Sequence, residues 1–210
     1  MIKKNWKTLI LTSIIILLPI VAGLILWNRL PEQIPMHWGP TGEVDGWGSK
    51  PLFVFGMPGF MLAIQWLCVL ATGADPKKAQ HSDKMLALVL WFIPILEAVL
   101  ATITYMVALG GSVRVEIVIP VLLGLMLTVI GNYLPKCKQN YTIGIKIPWT
   151  LNSEENWNKT HRLAGWVWTV GGLLVAATTF TGIFWIPLVI LLPMVFVPVI
   201  YSYILHRKGI

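Results

Sequence analysis

The chain has 210 residues, of which 56% are apolar and only 12% charged, and it carries a net charge of +7. The apolar residues come in long blocks that no water-facing surface could accommodate, so a soluble globular domain is excluded and a membrane protein is indicated. The positive balance reads as a topology signal, not as a nucleic-acid footprint.

Taken in chain order, six blocks are long enough to cross a hydrocarbon core of about 30 Å as helices. They cover residues 8–27, 52–71, 85–109, 117–134, 164–180 and 183–205. The first follows Lys3, Lys4 and Lys7. Its apolar run exceeds that of a signal peptide and no small-x-small site follows, so an uncleaved first helix is expected. Pro19, Pro58, Pro94, Pro120, Pro187, Pro193 and Pro198 fall inside these blocks. In lipid such prolines kink helices without forbidding them.

Lys and Arg are distributed unevenly between the connecting segments. With the N-terminus cytoplasmic, thirteen lie inside and three, Arg29, Lys50 and Arg114, lie outside. That bias predicts both termini in the cytoplasm, and the basic inner face suits anionic membrane lipids. The fold class expected is therefore all-α: a polytopic cell-membrane protein of six transmembrane helices. Neither Cys68 nor Cys137 is expected in a disulfide, and no CxxC motif is present.

Two connections carry design of their own. The outer one, NRLPEQIPMHWGPTGEVDGWGSK, is dense in Pro and Gly. Met36, His37 and Trp38 read as one short extended arm and Glu43, Val44 and Asp45 as another, around the turn residues 39–42. An ordered extracellular loop is expected there. The inner one, NYTIGIKIPWTLNSEENWNKTHR, alternates Ile143, Ile145 and Ile147, as a short extended segment would, up to Pro148. Asn152 and Glu155 then have capping-box spacing. Trp157, Thr160, His161, Ala164 and Trp168 share one face at helical spacing, so a helix starting at the cap should run unbroken into the fifth span. An ordered cytoplasmic loop results.

Three sets of residues are candidates for chemistry. Glu97 sits mid-span, where a charged carboxylate costs roughly 2.5–3.5 kcal/mol. It is either functional or a protonated group bonded to Gln65, Thr128 or Asn132. His37, Glu43 and Asp45 are metal-ligand types, but one imidazole and two carboxylates favour loop-fixing hydrogen bonds, and no metal is expected. His161 and Arg162 are placed either for a partner or phosphate contact or as interfacial anchors. No GxSxG, HExxH or P-loop occurs, so no catalytic residue and no cofactor is expected.

The stretch GNYLPKCKQNYTIGIKIPWTLNSEENWNKTHRLAGW resembles the signature of the SdpI/YfhL family of bacterial membrane proteins. The match rests on Gly-Asn at a span end, a Gly-Ile-basic-x-Pro-Trp-Thr-Leu core, and Trp then Thr-His-Arg on the next helix. IPMHWGPTGEVDGWGSK is similar to the small domain of unknown function that commonly precedes it. By position the resemblance carries over Asn132, Asn140, Gly144, Ile145, Pro148, Trp149, Thr150, Leu151, Trp157, Thr160, His161 and Arg162, and on the outer side Pro35, His37, Gly42, Asp45 and Lys50. Lys146 and Ile147 stand where the pattern more often has Arg and Thr, which argues against a planar bidentate contact at 146.

The resemblance implies two parts. Residues 1–71 form a two-helix segment with the extracellular loop 28–51, and residues 85–210 form a four-helix segment with the cytoplasmic loop 135–163. It implies an immunity protein, not an enzyme, with a secreted toxin peptide and a cytoplasmic repressor protein as partners and no direct nucleic-acid contact. His37, Trp38, Gly42, Glu43, Asp45 and Lys50 would then face the toxin. Asn140, Gly144, Lys146, Pro148, Trp149, Thr150, Trp157, Thr160, His161 and Arg162 would form the cytoplasmic working surface. Two other classes stay open: a small transporter or channel for a peptide or ion using Glu97 and Gln65, and a membrane enzyme using His37 or His161.

Overall fold

The computed structural model describes residues 2–210, with side chains from Asn5 onward. The side chains of Lys3 and Lys4, counted above for orientation, lie outside the described residues. In chain order the elements are α1 (Ile2–Ile25), β1 (Gln33–Trp38), β2 (Val44–Ser49), α2 (Met57–Ala74), α3 (Asp83–Ala108), α4 (Val115–Tyr133), α5 (Pro148–Asn152), α6 (Glu154–Thr178) and α7 (Trp185–Arg207). A π-helical turn, Leu52–Gly56, leads into α2. Six segments are long and apolar enough to cross a membrane: Asn5–Ile25, Leu52–Ala74, Asp83–Ala108, Val115–Lys136, Glu154–Thr181 and Trp185–Arg207. The protein is thus a multi-pass membrane protein of helical class. Pro19, Pro94, Pro120, Pro193 and Pro198 stand inside helices that continue through them.

The chain forms two compact units. The first comprises residues 1–73 and 87–115. Its main core cluster is Leu30, Ile34, Phe53, Val54, Ala101 and Tyr105, and a smaller cluster joins Leu9, Val69 and Leu90. Phe53 and Tyr105 meet edge to face with centroids 5.2 Å apart, and the Tyr105 hydroxyl donates to the Pro19 carbonyl at 2.8 Å.

Within this unit the Pro/Gly-rich loop is a β-hairpin. β1 and β2 pair antiparallel from Gln33 opposite Ser49 to Trp38 opposite Val44, with an irregularity after Pro35, which has no N–H for the ladder. The first arm read from the sequence lies within β1; of the second, Val44 and Asp45 lie in β2 while Glu43 stands just before it, and both strands extend beyond the arms. Lys50 closes the base. It is only 5% exposed, and its Nζ donates to the carbonyls of Trp27 and Leu30 at 3.2 and 3.1 Å, just beyond the C-terminal end of α1. The same ammonium pairs with Glu32 at 2.8 Å and lies over the Trp27 ring at 5.1 Å. Helix-end carbonyls have no helical donor, and a cation there satisfies both the hydrogen bonds and the helix dipole.

The second unit comprises residues 74–86 and 116–210. Here α4 and α6 approach at small residues. A Cβ added to Gly124 would meet the Gly172 carbonyl at 2.5 Å, and one added to Gly131 would meet the Thr169 backbone at 2.5 Å. Such close backbone approach is how membrane helices gain contact where lipid removes any hydrophobic drive to associate. α6 and α7 run antiparallel, with Trp168 Nε1 donating to the Met194 carbonyl at 2.7 Å.

α6 is unbroken, as expected, but it starts differently from the capping-box reading. Asn152 closes the short helix α5, and Ser153 is the cap, its hydroxyl accepting from the Asn156 N–H at 3.2 Å. A second short helix fitted before the long one moves the boundary by one residue.

Replacing Lys50 by Met keeps the alkyl packing and removes the donor from the buried Leu30 carbonyl and the part-buried Trp27 carbonyl. A loss of about 1–3 kcal/mol is expected, read as a lower thermal midpoint in detergent together with faster proteolysis of the hairpin. An unchanged midpoint would refute the clamp.

Candidate functional site

The segment between α4 and α5 has almost no regular structure, so its backbone polar groups must find other partners. The three isoleucines show how. The N–H of Ile143 donates to Asn140 Oδ1 at 2.7 Å, that of Ile145 to His161 Nε2 at 3.0 Å, and that of Ile147 to Thr150 Oγ1 at 3.1 Å. The alternation that predicts an extended segment is therefore served by three side chains, and among the described residues no strand pairs with it.

Asn140 is fully buried and binds in both directions. Its Nδ2 donates to the carbonyls of Lys138 and Ile143 at 2.8 and 2.9 Å, and its Oδ1 also accepts from the Thr142 N–H at 2.9 Å. Gln139 Nε2 reaches the Thr150 and Leu151 carbonyls, both at 2.9 Å, and so closes the C-terminal end of α5. Pro148 opens that helix at a position where a missing N–H costs nothing.

α6 supplies the floor. Trp157 is buried, its Nε1 donates to the Cys137 carbonyl at 2.7 Å, and its ring stacks on His161 with centroids 4.0 Å apart. His161 Nδ1 lies 2.8 Å from the Trp157 carbonyl, which can only accept, so the proton is on Nδ1 and Nε2 takes the Ile145 N–H. The ring is neutral with both nitrogens engaged, and is not free as a base, ligand or phosphate contact. Gly144 crosses above with φ +123, and a Cβ there would meet the Trp157 ring at 3.0 Å. Asn156 and Thr160 are buried on the same side. Asn156 donates to the Ser202 and Ile210 carbonyls at 3.0 and 3.2 Å and accepts from Ser202 Oγ at 2.5 Å. Trp149 stacks on His206 at 5.9 Å and meets Tyr203 edge on at 5.5 Å, tying α5 to α7.

The turn between α2 and α3 completes this platform. Asp75, 3% exposed, accepts from the N–H groups of Lys77 and Tyr141 at 2.7 and 2.9 Å and from Thr142 Oγ1 at 2.9 Å, with His81 Nε2 at 3.3 Å. Burial works against the charged carboxylate, but these donors outweigh it and hold the Asp75 carboxyl below its ordinary range. Burial pushes the Cys137 thiol up to about 11, against the opposing hydrogen bond from Asn140.

Of the residues singled out from the sequence, Asn140, Gly144, Thr150, Trp157, Thr160 and His161 converge on this one network. Lys146, Pro148 and Arg162 are exposed at its surface, while Asn132 is exposed outside it. In the hairpin, His37 Nδ1 donates to Asp45 Oδ1 at 2.5 Å and Thr41 donates to Glu43, which lowers the Glu43 carboxyl. Among the described residues no three ligating side chains gather as a metal site would need. Glu97 is 2% exposed, and Gln65 Nε2 donates not to it but to Thr12 Oγ1 at 2.8 Å. Thr128 gives its hydroxyl to the Gly124 carbonyl of its own helix. Sequence reasoning missed Asp75, Gln139, Asn156 and Ser202. Only Asn156 had a local signal, four residues before Thr160 on the buried face.

Comparison with known proteins matches residues 136–202 to the SdpI/YfhL protein family and residues 14–62 to a domain of unknown function, DUF1648. The chain is also 32% identical to Immunity protein SdpI of Bacillus subtilis (strain 168), over 98% of this chain and 97% of the relative. The chain belongs to the SdpI/YfhL family. No solved structure matches it. The segment matched to the SdpI/YfhL family reaches from beside Cys137, which Trp157 grips, to Ser202, which Asn156 grips.

Gly144→Ala forces a side chain into a positive-φ conformation and against the Trp157 ring. Strain of this kind costs about 1–3 kcal/mol. The variant should show a lower thermal midpoint in detergent, whereas Lys146→Ala, at the exposed neighbour, should not.

Proposed function

We propose that this protein is a membrane immunity protein: it protects its cell from a secreted killing peptide, acts as the peptide's receptor, and holds a cytoplasmic repressor at the membrane. The observation that carries this reading is the 32% identity, along 98% of the chain, to a protein named for immunity. The asymmetry of Lys and Arg supports a cytoplasmic platform and an external hairpin. A toxin arriving from outside would then meet the hairpin, with its exposed His37, Asp45 and Trp47, and a repressor would meet the platform. No catalytic step is assigned, in keeping with an engaged His161.

The platform's burial pattern decides which residues a repressor would touch. Trp157 and His161 support it from beneath, whereas Tyr141, Lys146 and Arg162 are exposed. A mixed aromatic and basic surface on an ordered base suits protein docking. One observation favours a second reading, a small transporter: in the first unit Gln65 Oε1 and Ser13 Oγ are buried without hydrogen-bond partners, and Glu97 is buried in the same unit.

The test is survival in added toxin, scored beside a reporter on a repressor-controlled promoter, with protein level checked by blot. Arg162→Ala and Lys146→Ala should lose repressor capture and keep protection, while His37→Ala and Asp45→Ala should lose both. Loss of protection in the platform variants at normal abundance would overturn the division of labour.

Glu97→Gln separates the two classes. A binding protein should keep full protection with the neutral amide. Protection lost at normal abundance would favour transport through a carboxyl-dependent path.

A further inference from the structure

We propose that Asp75 is a positioning residue of the platform, and that the turn between α2 and α3 is one of its walls, not a mere connector. Asp75 lies in neither matched segment, 14–62 or 136–202. Yet two of its donors, the Tyr141 N–H and Thr142 Oγ1, are 66 and 67 residues away in the chain and directly follow Asn140. The 140–143 turn is thus held by two acceptors: Asn140 Oδ1 takes the N–H groups of Thr142 and Ile143, and Asp75 Oδ2 takes the N–H of Tyr141 and the hydroxyl of Thr142.

What this turn displays is the Tyr141 ring, 48% exposed. Lys77, two residues from Asp75, sets its ammonium 5.5 Å from that ring and also donates to Gln139. Asp75 accepts from the backbone of both Lys77 and Tyr141. One buried carboxylate therefore fixes an exposed aromatic ring and the half-buried cation beside it. What the turn covers is Cys137, 5% exposed, whose Sγ contacts the Ile143 carbonyl at 3.3 Å and Asn140 Nδ2 at 3.4 Å. Without the carboxylate, the part-buried Tyr141 N–H loses its acceptor, the Thr142 hydroxyl is left with longer contacts such as that to Asn140 Oδ1 at 3.3 Å, and the turn opens over the thiol.

The experiment measures the rate of maleimide modification of Cys137 in the full-length protein in detergent, on a Cys68→Ala background that leaves one thiol. Asp75→Ala should raise the rate at least tenfold, Asp75→Asn should fall between it and the parent because an amide oxygen still accepts, and Lys78→Ala should react at the parent rate. Proteolysis of the hairpin should be unchanged, which a general loss of fold would not allow. Should Asp75→Ala fail to accumulate, Asp75→Asn and Thr142→Val decide, both expected to react severalfold faster than the parent. Parent-rate labelling in the Asp75 variants at normal abundance overturns the proposal. The promoter reporter adds an arm that rests on the proposed immunity function: Asp75→Ala should lose repressor capture and keep survival. Faster labelling with intact capture would leave Asp75 as a positioning residue and sink the docking role of the Tyr141 face.

Discussion

The polar platform depends on one buried amide. Asn140 lies where the chain leaves a membrane helix and must run through a non-helical stretch, and its side chain satisfies backbone groups on both sides of itself. Each such group left without a partner would cost about 1–3 kcal/mol. With the turn closed, the Cys137 carbonyl is presented to Trp157 and the Ile145 N–H to His161. The loop is thus packed on α6 through Trp157 and His161, whose side chains take up its backbone groups.

That dependence sorts the motif by role. Asn140, Thr150 and His161 accept the N–H groups of Ile143, Ile147 and Ile145, and Trp157 and Thr160 point into the same interior. These residues are scaffold. A partner would read what the scaffold holds outward: the Tyr141 ring, the Lys146 ammonium and the Arg162 guanidinium. A residue of the Thr-His-Arg run can thus face either way, and a single helical step between His161 and Arg162 separates a buried neutral ring from an exposed charge.

How much was legible follows from range. Hydrophobic block length placed the six membrane helices, and the spacing of Trp157, His161, Ala164 and Trp168 gave the buried face of α6. Pro and Gly density gave the hairpin. The helix cap was missed because α5 intervenes and Ser153, not Asn152, stands at the break. Composition offers Gln65 as one possible partner of Glu97, but Gln65 Nε2 donates to Thr12, 53 residues earlier in the chain. Asp75 and Ser202 act over similar separations, across elements whose pairing no local period encodes. The candidate site was located as a segment; its connections to the α2–α3 turn and to α7 were not.

The two departures from the family pattern follow from the same geometry. At 147 the platform uses only backbone groups, the N–H that Thr150 Oγ1 accepts and the carbonyl that takes the Thr150 hydroxyl at 2.9 Å, which any residue but proline supplies, so Ile serves as well as Thr. At 146 the side chain is exposed and anchors nothing in the described network, so the scaffold places no demand on its shape. A Lys there offers a partner a point charge where Arg would offer a planar fork. Positions that use only backbone groups or only a surface charge place little demand on the side chain, whereas Asn140, Thr150 and His161 each meet a part-buried N–H with a different acceptor at a fixed reach. None of the three can be exchanged for another.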